Sequence, residues 1–149
     1  FNIAGLGCSV AVIPDDRLRR RFERAKAGIV PHVNVLGQVA AEAAWRDGRE
    51  WLAAQLENLR GNRDLLADAV DRLPGVIMSR VEATYLAWRD VRALGLDDPA
   101  AHFEDHGLGF SPGAHFGTDG FVRCNFACPR ATLEEAVRRL EMAVAAARS

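Results

Sequence analysis

The sequence is poor in lysine, in cysteine and in long apolar runs. Its 149 residues include a single lysine, Lys26, against 18 arginines, so only that residue could supply a lysine amine from within the chain. The three cysteines are too few, and odd in number, for a disulfide framework, which indicates a reducing compartment and favours the cytoplasm. No apolar run approaches the roughly 18 residues of a membrane helix. A net charge of −1 gives no electrostatic reason to expect nucleic acid or an anionic membrane as a partner.

The residues that are present predict one α/β fold. With 49% hydrophobic and 26% charged residues, the chain is long enough to bury a core. Apolar periodicity and turn residues predict about four short strands and five helices. The strands are predicted at residues 9–14, 82–88, 108–111 and 120–126. The helices are predicted to begin near Asp15, Asn34, Asp47, the pair Asp97 and Asp98, and Thr132.

Two of these helix starts resemble capping boxes. Asp47 is followed three positions later by Glu50, and Thr132 by Glu135. The helix that begins at Asp47 is predicted to continue to residue 73, where Pro74 and a glycine end it. At 1.5 Å per residue this helix spans roughly 39 Å, which is long enough to connect two domains.

The stretch GFVRCNFACPR places an arginine in what is otherwise a buried strand. Alternation puts Val122, Cys124 and Phe126 on one face, which is predicted to be core, and Arg123 and Asn125 on the other. A guanidinium beside a carboxamide suits either an ordinary solvated sheet face or a site that binds a planar anion. The alternation leaves both interpretations open.

General motifs add little. His102 and His106 stand four apart, as zinc ligands on a helix can, but no third ligand has a suitable spacing, so no metal site is predicted. Cys124 and Cys128 have no second pair, which predicts small buried side chains. The glycine-bearing loop GAHFGTDG leads into a strand instead of a helix N-terminus, so it is predicted to be a loop without a phosphate-binding role.

Four blocks together resemble a known family. FNIAGLGCSVAVIP, EATYLAW, SPGAHFG and GFVRCNFACPR, in this order and separation, resemble the C-terminal part of fold-type-I pyridoxal-phosphate enzymes. The resemblance is to the cystathionine β-lyase-like, or carbon–sulfur lyase, branch of the class I/II aminotransferases, and it covers essentially the whole chain. It implies pyridoxal 5'-phosphate as cofactor of the complete enzyme and an amino-acid thioether as substrate. It also implies a homodimer, or association with the N-terminal part of the enzyme.

The resemblance assigns one substrate-binding residue. Arg123 matches the family arginine that binds the substrate α-carboxylate, and Asn125 is expected to support that face. The lysine that forms the Schiff base precedes the family position of Phe1 by two residues, so it is expected upstream and no catalytic residue is expected within the chain. Many aminotransferases have a phosphate-binding arginine where this sequence has Gly7, which favours the lyase branch and leaves the cofactor-binding residues unassigned.

The same resemblance implies a domain organisation and leaves two alternatives. Residues 1–46 would complete the large domain, residues 47–75 would form the inter-domain helix, and residues 76–149 would form the small domain. A pyridoxal-phosphate aminotransferase remains an alternative, because it shares the early chemistry and differs in where the proton returns. A chain without the lysine could instead be a non-catalytic dimerisation or binding module.

Overall fold

The computed structural model describes residues 1–148, which form two compact units. The first is Phe1–Ala54, and the second begins at Gln55. The division falls within the long helix α3 (Arg49–Val70). Among the described residues, no helix combines the length and the apolar character needed to cross a membrane.

Helices dominate the first unit. It contains α1 (Asp16–Lys26), α2 (Val35–Asp47) and the start of α3. Asp15 accepts a hydrogen bond from the backbone N–H of Leu18 at 2.7 Å, and Asn34 caps α2 by accepting one from Gly37. These N-caps satisfy donors that the first turn of a helix leaves free. Both predicted helix starts are therefore confirmed.

Two sequence predictions for the first unit are wrong. Residues 9–14 were expected to form a strand, but they pair with no strand among the described residues, and Val12 is 84% exposed. A β-rich stretch forms a ladder only where a partner strand is available. Asp47 was expected to cap α3, yet it is the last residue of α2, and the N–H of Gly48 donates to the carbonyl of Ala44 at that helix end.

The second unit is built on a four-stranded antiparallel sheet with strand order β1-β2-β4-β3. The strands are β1 (Ile77–Met78), β2 (Leu86–Asp90), β3 (Ser111–Pro112) and β4 (Phe121–Asn125). Two further helices, α4 (Pro99–Asp105) and α5 (Arg130–Ala146), complete it with the rest of α3. The combination of sheet and helices confirms the predicted α/β class.

One face of this sheet forms the core. Ala87 of β2 and Val122 and Cys124 of β4 are buried in a cluster with apolar residues of α3, α4 and α5. The alternation predicted for β4 is confirmed, because Arg123 is half-buried on the opposite face and Asn125 is exposed. That opposite face carries the guanidinium of Arg123.

Several boundaries in the second unit differ from the predictions. β2 begins at Leu86 instead of residue 82, since Thr84 has a φ of 63°, a left-handed conformation that interrupts extended backbone. β3 is confined to residues 111–112. α5 begins at Arg130, because Pro129 at the N-cap position already has a φ of −56°, so the predicted capping box at Thr132 lies inside the helix and is not formed.

A buried amide fastens the loop after β4 to α3. Asn62 is fully buried, and its Nδ2 donates to the carbonyl oxygens of Phe126 at 3.0 Å and Cys128 at 2.9 Å. Arg130 adds a hydrogen bond from Nη1 to the carbonyl of Gly61 at 2.8 Å. The bonds from Asn62 satisfy two loop carbonyls that burial would otherwise leave without partners, and the bond from Arg130 ties the same loop to α3. They also fix the end of the strand that carries the site.

Candidate functional site

Arg123 lies on β4, between β2 and β3, and it is paired with one residue in each of these strands. Its Cα partner in β2 is Trp88, and its Cα partner in β3 is Ser111. The guanidinium is half-buried, and Nη2 donates to the Ser111 hydroxyl oxygen at 3.2 Å. Within residues 1–148 it forms no ion pair, whereas the neighbouring Arg92 is paired with Asp90 at 2.6 Å. Arg123 is thus a cation held by a neutral partner.

The guanidinium of Arg123 retains enough donors for a planar anion. Arginine has five N–H donors in one plane and stays charged at any ordinary pH. The two hydrogens of Nη2 lie on different edges of the fork, and only one of them is used by Ser111. One edge of the guanidinium therefore keeps two parallel N–H donors. Two such donors match the two oxygens of a carboxylate.

One aromatic ring contacts the same guanidinium, and two further rings continue from it. The Cζ atom of Arg123 lies 4.5 Å from the ring centroid of Phe116. Phe116 meets the ring of Trp88 edge to face, at 5.7 Å and 85°. Trp88 in turn stacks on Phe121, at 5.5 Å and 16°. The result is a guanidinium bordered on one side by apolar surface, where its hydrogen bonds are screened less than in open water.

The turn that supplies Phe116 is fixed by glycine. A short 3₁₀ segment, Gly113–Phe116, follows β3 directly. A Cβ at Gly113 would collide with the carbonyl oxygen of Thr118, so only glycine allows this approach of the backbone. Gly117 ends the segment in a left-handed conformation with a φ of 76°. Both glycines lie in the SPGAHFG block that the sequence resemblance used.

An open cleft of about 550 Å³ lies beside this turn but is a different surface. Its lining includes Gly113 and Phe121 together with the carboxylates of Asp97, Asp98 and Asp119, and it does not include Arg123. Acidic groups disfavour a bound carboxylate. Size alone would point to this cleft, whereas the chemistry points to Arg123.

The other residues considered at the sequence level lie apart from Arg123. Asn125 is exposed, and its Oδ1 accepts from the backbone N–H of Ala127 at 2.9 Å, so it stabilises the turn after β4. In α4 the His102 Nε2 lies 2.9 Å from the carbonyl oxygen of Ala143, and the His106 Nδ1 lies 2.8 Å from that of His102. Each of these ring nitrogens therefore has a backbone partner.

The two cysteines after Arg123 suit packing better than nucleophilic chemistry. Cys124 is buried and Cys128 is half-buried, and both are free thiols. Burial raises the pKa of both thiols above the usual value. Because the thiolate is the reactive form, each side chain stays predominantly protonated at neutral pH.

Comparisons with known proteins agree on one superfamily. Residues 1–140 match the family model described as aminotransferase class I and II. A cystathionine beta-lyase of Corynebacterium glutamicum is 32% identical over 145 residues, which cover 94% of this chain and 39% of that protein. The crystal structure of OvoB superposes with a TM-score of 0.90 at 59% identity, over 97% of this chain and 38% of that one.

A third comparison brings in the cofactor. The crystal structure of cystalysin from Treponema denticola, which contains pyridoxal 5'-phosphate, superposes with a TM-score of 0.83 at 31% identity, over 98% of this chain and 39% of that one. The chain therefore spans only 38% to 39% of the length of these three proteins.

Proposed function

The chain belongs to the aminotransferase class I and II family, and from this premise we propose that it is the C-terminal part of a pyridoxal-phosphate-dependent carbon–sulfur β-lyase acting on amino-acid thioethers. The observation that carries the proposal is the half-buried Arg123 guanidinium, which has no acidic partner among the described residues and keeps one complete edge of donors. The similarity to a cystathionine beta-lyase and to cystalysin supports the lyase branch.

Arg123 binds the α-carboxylate of the substrate in this proposal. Two parallel charge-assisted hydrogen bonds fix both the position and the rotation of a carboxylate, which a single donor cannot do. Holding one end of the substrate in this way orients the bonds at Cα and Cβ, where the reaction takes place. Ser111 and the ring of Phe116 support the guanidinium without competing for the free edge.

Pyridoxal phosphate supplies the electron sink on which β-elimination depends. Neither the lysine of this chain nor its position 7 offers a group to hold it. Lys26 is exposed at the end of α1, and nothing lies within 4 Å of a Cβ built at Gly7, the position where related aminotransferases have a phosphate-binding arginine. We therefore propose that the groups that hold the cofactor, including the Schiff-base lysine, belong to the part of the complete protein outside this chain.

The first prediction concerns Lys26. When this chain is mixed with pyridoxal phosphate and reduced with borohydride, no stoichiometric adduct should form at Lys26, because an exposed helix-end amine has no pocket to hold the cofactor. Peptide mapping by mass spectrometry measures this. The Lys26→Arg variant is the control, since it leaves only the N-terminal amine available for adventitious labelling. One reduced cofactor per chain at Lys26 would contradict the assignment.

The first unit has apolar residues that need a partner. Gly37 is its only fully buried residue among those described, while Val12 is 84% exposed, Ile29 80% and Val35 68%. Exposed apolar residues in such numbers favour an interaction surface. We propose that they are covered by the rest of the large domain or by a second copy in a homodimer. We also propose the cytoplasm as the compartment, in keeping with the free cysteines.

Products separate the proposed function from its alternatives. The complete protein, loaded with pyridoxal phosphate and given L-cystathionine and no 2-oxo acid, should consume one water and release homocysteine, pyruvate and ammonia in equal amounts. An aminotransferase would require a 2-oxo acid as amino acceptor and would leave the carbon–sulfur bond intact. A non-catalytic module would convert L-cystathionine neither with a 2-oxo acid nor without one.

A further inference from the structure

We propose that Phe116 is a positioning residue for Arg123: its ring fixes the plane of the guanidinium while leaving the N–H donors free for the substrate carboxylate. This inference rests on the proposed role of Arg123 in binding that carboxylate. It assigns a function to an aromatic residue that lies outside the strand of the site, in the SPGAHFG block.

The two contacts of Arg123 restrain different motions. Ser111 accepts a hydrogen bond in the guanidinium plane and so limits rotation within it. Phe116 adds a contact from its ring, whose centroid lies 4.5 Å from Cζ, within the distance at which a cation is attracted to an aromatic ring. The ring therefore limits tilting of the plane. Together the two contacts fix the direction in which the free edge of the guanidinium points.

A second arginine of the same unit shows what an acidic partner would do instead. Arg92 lies 5.0 Å from the ring of Phe121, but it also donates to both carboxylate oxygens of Asp90, at 3.0 and 2.6 Å. The hydrogen bond from Arg92 lowers the pKa of Asp90, so this carboxylate is ionised at neutral pH and occupies an edge of the fork. A substrate carboxylate would have to displace it. An aromatic ring orients a guanidinium without using any of its donors.

Phe116 contributes little to the hydrophobic core. It is 48% exposed, so its removal sacrifices less buried area than removal of a core phenylalanine would. Its position is nevertheless defined by its edge-to-face contact with Trp88 and by the turn that carries it. In that turn the N–H of Gly117 donates to the carbonyl of Ala114 at 3.1 Å. A half-exposed ring that is held against a cation is better explained by the cation than by packing.

Binding measurements on the complete protein loaded with pyridoxal phosphate test the proposal. The probes are L-alanine and ethylamine, which is alanine without its carboxylate, and dissociation constants are read from the cofactor absorbance. Phe116→Ala should weaken L-alanine binding about 2- to 30-fold and leave ethylamine unchanged, since a cation–ring contact acts only through Arg123. Phe116→Tyr, which keeps a ring face, should stay within about twofold of the parent protein. Phe116→Leu, which keeps apolar volume without a ring, should resemble the alanine variant.

Phe22→Ala is the matched control. Phe22 is about as exposed as Phe116, at 46% against 48%, and its ring also lies near a cation, but that cation is Lys26, at 6.0 Å. L-Alanine affinity should stay within about twofold for this variant, because Arg123 keeps both of its contacts. The proposal is overturned if Phe116→Ala weakens both probes equally, or if Phe116→Leu restores full affinity, since either result would assign the ring a packing role.

Arg123→Lys in the same assay separates this inference from the proposed function. If the lysine variant loses affinity for L-alanine alone while Phe116→Ala loses none, Arg123 binds the carboxylate and the positioning role of Phe116 is wrong. If the lysine variant affects neither probe, or both alike, the carboxylate is bound elsewhere and both proposals fail.

Discussion

Replacing Arg123 with lysine is expected to lower kcat/KM for an amino-acid thioether about 10- to 150-fold in the complete protein. Lysine keeps the positive charge but loses the planar fork, so the pair of parallel hydrogen bonds to the carboxylate cannot form. Hydrogen bonds to charged groups are worth about 1.5–3 kcal/mol, which corresponds to that range of rates. Steady-state kinetics of the lysine variant and the parent protein measure the loss.

Two comparisons identify the cause of that loss. The cofactor spectrum and thermal unfolding should be unchanged, because Arg123 forms one hydrogen bond with a neutral serine and no ion pair among the described residues. Arg92→Lys is the matched control, since Arg92 is exposed and paired with Asp90 at the end of β2. Its kcat/KM should stay within about twofold. Equal losses for the amino acid and its decarboxylated analogue would show that Arg123 is structural and that its strand face is merely solvated.

A buried cation gives the second large effect. Arg89 of β2 is 1% exposed, and its Cζ lies 4.0 Å from the ring centroid of Phe110. Its Nε and Nη2 have no hydrogen-bond partner among the described residues. Burial lowers the pKa of this guanidinium, although arginine still carries its charge at neutral pH. A buried charge without an ionic partner is unfavourable even when an aromatic ring lies beside it.

Arg89→Leu is therefore expected to raise the free energy of unfolding by about 1–4 kcal/mol, the range in which apolar residues stabilise a protein when they replace buried ionic groups. Urea unfolding of this chain measures the change. Trp45 and Trp51 are first replaced by phenylalanine, so that Trp88 is the only tryptophan left to report on unfolding. The control is Arg138→Leu, because Arg138 is exposed and a change of about 0.5 kcal/mol or less is expected there. A loss of stability in the Arg89 variant would contradict the argument, since it would mean that the guanidinium has strong partners in the folded protein.

Local sequence signals predicted much of the fold. Asp15, Asn34 and Asp98 each cap the helix that they were expected to begin, because a capping interaction involves residues only three apart. Alternation over β4 predicted its core face, because alternation is also a local property of the sequence. The expected strand at residues 9–14 failed because a ladder depends on a distant partner, which composition does not reveal.

The site was predicted in part. Arg123 was identifiable as a charge within an apolar strand, and the family resemblance gave it a role. Ser111 and Phe116 were not identifiable, because they reach Arg123 only through the register of β3 on β4, and a two-residue strand has too little alternation to specify a register. Arg89 was missed because the predicted strand ended at residue 88, one position before it.

A crystal structure of the complete protein with bound L-alanine tests the central claim most directly. The account predicts that the two carboxylate oxygens lie within about 3.2 Å of two nitrogens on one edge of the Arg123 guanidinium, while Ser111 keeps its hydrogen bond and Phe116 keeps its ring contact. A carboxylate held by a different cation, with the free edge of Arg123 open to solvent, would contradict it.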